Sequence, residues 1–140
     1  MQTGILGIDL GDVRTGLAVS DALGLTAVGI GTLKGLNDYE LIREIRTVIA
    51  QRNVTLIVVG YPVNMNGSVG ERAEKVRAFA LKLEAETGVK TVLYDERCTT
   101  MAAHRIMNYT DTRGKKRKEK VDTLSAQIIL QNYMDSHPFS

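Results

Sequence analysis

A chain of 140 residues, 44% of them hydrophobic, is long enough to bury a real core and short enough to be one domain spanning residues 1–140. It has no apolar run long enough to cross a bilayer, no basic and apolar leader at its start, and a single cysteine, Cys98. Those features exclude a membrane role and a disulfide or Cys-based zinc scaffold, and they lead us to expect a cytoplasmic protein. Net charge is +2 but uneven: Arg105 to Lys120 holds seven Lys/Arg against two Asp/Glu, and the remainder has eleven basic and fourteen acidic residues. Such an imbalance suggests an anionic partner approaching one region.

The chain opens with strand-like segments at Gly4–Leu10, Gly16–Ser20 and Ala27–Leu33. The first two are joined by a short turn bracketed by Gly11 and Gly16, so they should pair antiparallel. Asp38 to Gln51 has apolar Leu41, Ile42, Ile45, Val48 and Ile49 at helical spacing. Asn37 and Glu40 fit a capping box at its start, with Leu36 and Leu41 placed as a hydrophobic staple. Leu56-Ile57-Val58-Val59-Gly60 is β-branched and apolar throughout, which suits a central parallel strand.

Ser68 and Glu71 fit a second capping box. The helix it opens carries Val76, Phe79, Ala80 and Leu83 and should stop at Gly88. Val89–Tyr94 reads as a fifth strand, followed by a helix over about Thr100 to Asn108, a basic loop, and a last helix over about Glu119 to Met134. Three antiparallel strands followed by alternating helix and strand predict an α/β fold: a five-stranded mixed sheet with helices on both faces.

Three acidic positions stand out. Asp9 interrupts an apolar strand, where an unpaired carboxylate is costly; a hard cation such as Mg²⁺ is a partner that suits an oxygen donor. Asp95 and Glu96 fall at the carboxyl end of the fifth strand, where open α/β sheets collect ligands. Asp122 lies in line with Ala126, Ile129 and Tyr133 on a mostly apolar helix face, pointing it toward the sheet. Carboxylates from three segments could hold two divalent ions about 4 Å apart for phosphodiester hydrolysis. Plainer roles are also open: a turn cap for Asp9, an ion pair with Arg97 for Asp95 and Glu96, and a helix cap for Asp122. Arg14 suits a phosphate contact or a simple turn.

Arg113, Lys115, Lys116, Arg117 and Lys118 precede Asp122 closely. A basic loop there suits a phosphate-tracking arm, which supplies affinity with little sequence information; a solvated charged loop is the alternative. Asn64, Asn66 and the Ser68 helix start offer a further phosphate cradle or merely a capped helix.

At these residues the sequence resembles the YqgF/RuvX family of bacterial resolvases, within the ribonuclease H-like fold. The likeness rests on Gly7-Ile8-Asp9-Leu10-Gly11 with Arg14, Gly16 and Ser20-Asp21; on Val59-Gly60-Tyr61-Pro62 with Met65, Gly67 and Phe79; on Asp95-Glu96-Arg97 with Thr99-Thr100; and on Asp122 before Ala126 and Ile129-Leu130. Tyr61 stands where the family pattern usually has Leu. The resemblance implies a nuclease dependent on Mg²⁺ or Mn²⁺ with Asp9, Glu96 and Asp122 as its acidic site; which of Asp95 and Glu96 is the ligand stays open. It implies a hydrolase acting on structured RNA or branched DNA, and Arg14, Arg97 and the basic run are the expected nucleic-acid contacts. The expected roles are processing of the 5′ end of pre-16S ribosomal RNA, on ribosomal precursor particles, or resolution of Holliday junctions. A non-catalytic assembly factor and an actin-like ATP-binding domain are the alternatives from other classes. A junction resolvase should be a homodimer, whereas an RNA-processing enzyme could work as a monomer.

Overall fold

In a computed structural model, the structure describes residues 4–21, 24–63, 66–95 and 114–136; within the last stretch, side chains are described from residue 123 onward. The elements are β1 (Gly4–Leu10), β2 (Arg14–Ser20), β3 (Ala27–Lys34), α1 (Asp38–Arg52), β4 (Val54–Tyr61), α2 (Glu71–Thr87), β5 (Lys90–Asp95) and α3 (Gly114–Ser136). The five strands form one sheet in the order β3-β2-β1-β4-β5. β1 and β2, and β2 and β3, pair antiparallel; β1 and β4, and β4 and β5, pair parallel. This is the mixed sheet expected from the alternation of segments. No helix among the described residues is long and apolar enough to cross a membrane.

Strand parity sorts the core into two layers. Leu6, Ile8, Leu17, Val19, Ile57 and Val59 face α1 and α2, where they meet Ile42, Ile45, Val76, Phe79 and Leu83. On the other face, Ala18, Val58 and Val92 meet Ala126, Ile129 and Leu130 of α3. Ile45, Leu83, Ile129 and Leu130 are all 0% exposed. Each such side chain contributes about 1.5–3 kcal/mol of burial energy, so both helix layers are firmly attached to the sheet.

The α3 layer leaves no room for side chains at two glycines, and a row of small residues runs across the strands beneath it. Gly7 pairs with Ala18, and Ala18 pairs with Gly29. A β-carbon at Gly7 would stand 2.8 Å from the Leu130 Cβ, and one at Gly29 would stand 2.6 Å from the Thr123 Cγ2. Polar bonds fix the helix along β3. Thr123 and Thr32 hydroxyls lie 2.7 Å apart, the Ala27 N–H donates to Gln131 Oε1 at 2.9 Å, and Gln131 Nε2 donates to the Leu25 carbonyl at 2.9 Å.

The Asn37 capping box forms, with the side chain accepting from the Glu40 N–H and Glu40 reaching back to the Asn37 N–H. Gly88 closes α2 in the left-handed conformation. The second capping box does not form: α2 is capped at Gly70 without a side-chain bond, and the Ser68 hydroxyl instead donates to Asn66 Oδ1 at 2.7 Å. Asn66 competes for the serine within a tight turn and moves the helix start two residues on. The basic run is also corrected. Residues 115–118 lie in the opening turns of α3 rather than in a loop, consistent with Lys and Arg being good helix formers. The helix expected over 100–108 lies outside the described residues.

Candidate active site

Asp9 lies next to last in β1, half-buried, with the parity of Gly7 and therefore on the sheet face that carries α3. Its cross-strand partner is Gly16, and Gly16 pairs in turn with Thr32. On the other side, Ile8 pairs with Val59, so one further step along the parallel register brings Asp9 level with Gly60, which pairs with Tyr94. The row therefore reads Thr32, Gly16, Asp9, Gly60, Tyr94. A carboxylate stands between two glycines, and neither lateral neighbour has a side chain to fill the space around it.

The row beyond brings cations. Arg14 pairs with Lys34 on the same face. Arg14 is two residues before Gly16, which makes it a diagonal neighbour of Asp9, a geometry that spans about 7–8 Å between backbones. Its Nε is buried and has no hydrogen-bond partner among the described residues. A buried guanidinium donor left open costs about 1–3 kcal/mol or more, which suits a group awaiting an acceptor. Lys34 was not singled out from the sequence; its signal is the two-residue parity with Thr32, readable only once the β2–β3 register is known.

The helix covers this end of the sheet from above. The Thr123–Thr32 contact ties α3 to the same row as Asp9. Residue 122 is the helical position just before that tie and one turn before buried Ala126. The fold thus brings β1 and this turn of α3 to one end of the sheet. At the opposite side of the row, Tyr94 packs edge-on against Tyr133, with ring centroids 6.3 Å apart and planes at 85°.

Asp95 is placed differently. It ends β5, is exposed, and has the opposite parity to Tyr94, so it lies on the sheet face away from Asp9. Glu96, Arg97 and Arg113 lie outside the described residues, as do the side chains of Lys115, Lys116, Arg117, Lys118 and Asp122. Among the described residues, no three His, Cys, Asp or Glu side chains gather as a metal cluster.

A five-stranded mixed sheet in this order, with helices on both faces and Asp9 on the face that α3 covers, is a ribonuclease H-like fold. Solved structures share it: RuvC from T. thermophilus in complex with a Holliday junction superposes with a TM-score of 0.61 at 14% identity, covering 96% of this chain and 98% of that one. The Holliday junction resolvase of Fowlpox virus superposes at 0.54 and 14% identity, covering 96% and 99%. These likenesses concern the fold. The sequence pattern of RuvX, described as Holliday junction resolvase, matches residues 3–136, and the chain belongs to that family. Relatives from Clostridioides difficile (44% identical, covering 94% of this chain and 93% of the relative) and Geobacillus kaustophilus (48%, covering 94% and 96%) bear the name "Putative pre-16S rRNA nuclease".

Proposed function

We propose that this protein is a metal-dependent endonuclease, a hydrolase of phosphodiester bonds in structured nucleic acid, acting in maturation of the 5′ end of pre-16S ribosomal RNA. The observation that carries the reading is Asp9, on the face under α3, paired with Gly16 and one register step beyond the Ile8–Val59 pair, level with Gly60. A half-buried carboxylate with side-chain-free neighbours suits a hydrated Mg²⁺ or Mn²⁺, which prefers oxygen donors and keeps several waters. Asp9, Glu96 and Asp122 would hold the ions. Asp95 has the opposite parity to Tyr94 and so lies on the sheet face away from Asp9, which disfavours Asp95 as the ligand. When bound, two such ions supply an activated water and neutralise charge on the phosphate.

The protein's own groups do the rest. The Arg14 guanidinium, with its open Nε, donates to a non-bridging phosphate oxygen and holds the scissile group beside Asp9. Lys34 adds a second positive charge on the same row. Lys115, Lys116, Arg117 and Lys118 at the start of α3, with Arg97 and Arg113, track the backbone on either side. The names borne by the relatives support ribosomal RNA precursors as substrate; a cytoplasmic location and one or two copies of the chain belong to the same proposal.

The description of the family supports a second reading, cleavage of four-way DNA junctions. One experiment separates them. Purified protein is incubated with Mg²⁺ or Mn²⁺ on a labelled pre-16S 5′ leader and on a four-way junction, with Asp9→Asn in parallel. Cleavage of the leader by the wild type alone is the expected result. Cleavage confined to the junction selects the second reading, and binding without cleavage in both proteins refutes the catalytic one.

A further inference from the structure

The opposite face of the sheet holds a cleft at the same end as Asp9. Its volume is about 370 Å³, within the range of small-ligand sites. Its roof is the β1–β2 turn, beginning with Leu10, the residue after Asp9. Leu33, Leu36 and Phe79 make an apolar floor. Arg72, Lys75 and Lys82 project from α2 along one wall. Arg72 Nη2 donates to the Leu10 carbonyl at 3.4 Å, which ties this wall directly to the strand that carries the acid.

Among the described residues those three cations have no carboxylate partner. The ion pair formed elsewhere is Arg46–Glu86, and none of the three takes part in one among the described residues. Asp12 and Asp38 also line the cleft, at the turn and at the α1 start, so it is amphipathic and not uniformly basic. An apolar floor beside an open cationic wall matches a ligand with a flat apolar part and an anionic part. A single unpaired nucleotide has that chemistry, with a base for the floor and a phosphate for the wall.

We infer that this cleft captures one unpaired nucleotide of the substrate strand as it passes over the β1–β2 turn from the Asp9 face. The inference rests on the nuclease reading, because it needs a strand already seated at Asp9. It adds a requirement that reading lacks: a single-stranded flank next to the cleavage point. A fully paired substrate leaves the cleft empty.

The test uses fluorescence anisotropy on the full chain in Ca²⁺, with a fluorescein-labelled hairpin RNA bearing a single-stranded flank and the same hairpin without it. Wild type should prefer the flanked ligand about tenfold, the scale of one base-binding contact. Ala78→Trp, which fills the cleft from an exposed helix position, should erase that preference and leave the blunt hairpin unchanged. Lys75→Gln with Lys82→Gln should lower the salt dependence for the flanked ligand by about 0.7 log units per log unit of salt for each lysine that no longer meets a phosphate. Melting temperatures verify folding of each variant. Equal affinity of wild type for both hairpins overturns the inference while leaving the nuclease reading intact. Absence of binding to either hairpin overturns both. Binding of adenosine or uridine monophosphate to the cleft without a preference for the flanked hairpin also overturns it, and makes the cleft a free-nucleotide site.

Discussion

Replacing Gly7 with alanine tests the close approach of α3 to the sheet. The new β-carbon would lie 2.8 Å from the Leu130 Cβ and 3.1 Å from the Ala126 carbonyl oxygen. Carbon atoms pack at about 3.5–4.0 Å, so the helix must move by most of an ångström against its own backbone. Overpacking of this kind costs about 1–3 kcal/mol. Losing glycine's freedom in the unfolded chain returns about 0.4–1 kcal/mol, leaving a net loss of about 1–2 kcal/mol. For a domain of this length that lowers Tm by roughly 3–8 °C. Gly29→Ala is the matched control. Its β-carbon would meet the Thr123 methyl at 2.6 Å and the Gln127 Oε1 at 2.9 Å, both side-chain tips that can turn away. Its cost is the Thr32–Thr123 bond, about 1 kcal/mol, largely offset by the same unfolded-state gain. Urea unfolding of the three proteins gives the comparison. Gly7→Ala as stable as the wild type, or no less stable than Gly29→Ala, refutes the packing argument.

Other outcomes follow from single interactions. Asn37→Ala removes the acceptor of the capping box at α1 and should cost about 1 kcal/mol in chemical denaturation. Asn53 ends α1 at φ 53°, so Asn53→Gly should be neutral or slightly stabilising, while Asn53→Val should lose about 1–2 kcal/mol by the same measurement. Asp9→Asn should abolish cleavage with the circular-dichroism spectrum of the wild type retained, since it keeps the shape and removes the charge.

Sequence alone was most informative where one local rule decides the outcome. β1 is found over Gly4–Leu10 as expected, because an apolar run beside a glycine turn has few other uses. The Asn37 box formed because its donor and acceptor are three residues apart and nothing nearby competes. Ser68 looked equally good, but Asn66 two residues earlier offered it a stronger local partner. The opening of α3 was missed because six charged residues without apolar spacing give no periodic signal, although each favours helix. The site was partly visible. Asp9 betrays itself by its apolar neighbours, and Gly16 and Gly60 sit in recognisable motifs. That the two glycines flank the same carboxylate depends on register, which no single segment encodes. The same holds for the faces of Asp95 and Lys34: β5 is apolar on both parities, so alternation in the sequence cannot say which side a residue takes.

The bonds joining α3 to β3 span 91 to 106 positions of the chain. During synthesis, β1 to β5 are therefore complete well before the helix that covers one of their faces exists. Until it arrives, the trough of Gly7, Ala18 and Gly29 and the adjoining Val58 and Val92 stand open to solvent on the ribosome. An unfinished sheet of this kind is prone to association with other chains and calls for cover by a chaperone. The cover is late at one particular place as well: the row that holds Asp9 gains its roof only when the stretch of α3 around Thr123 docks, so every strand is in place before that end of the sheet is closed.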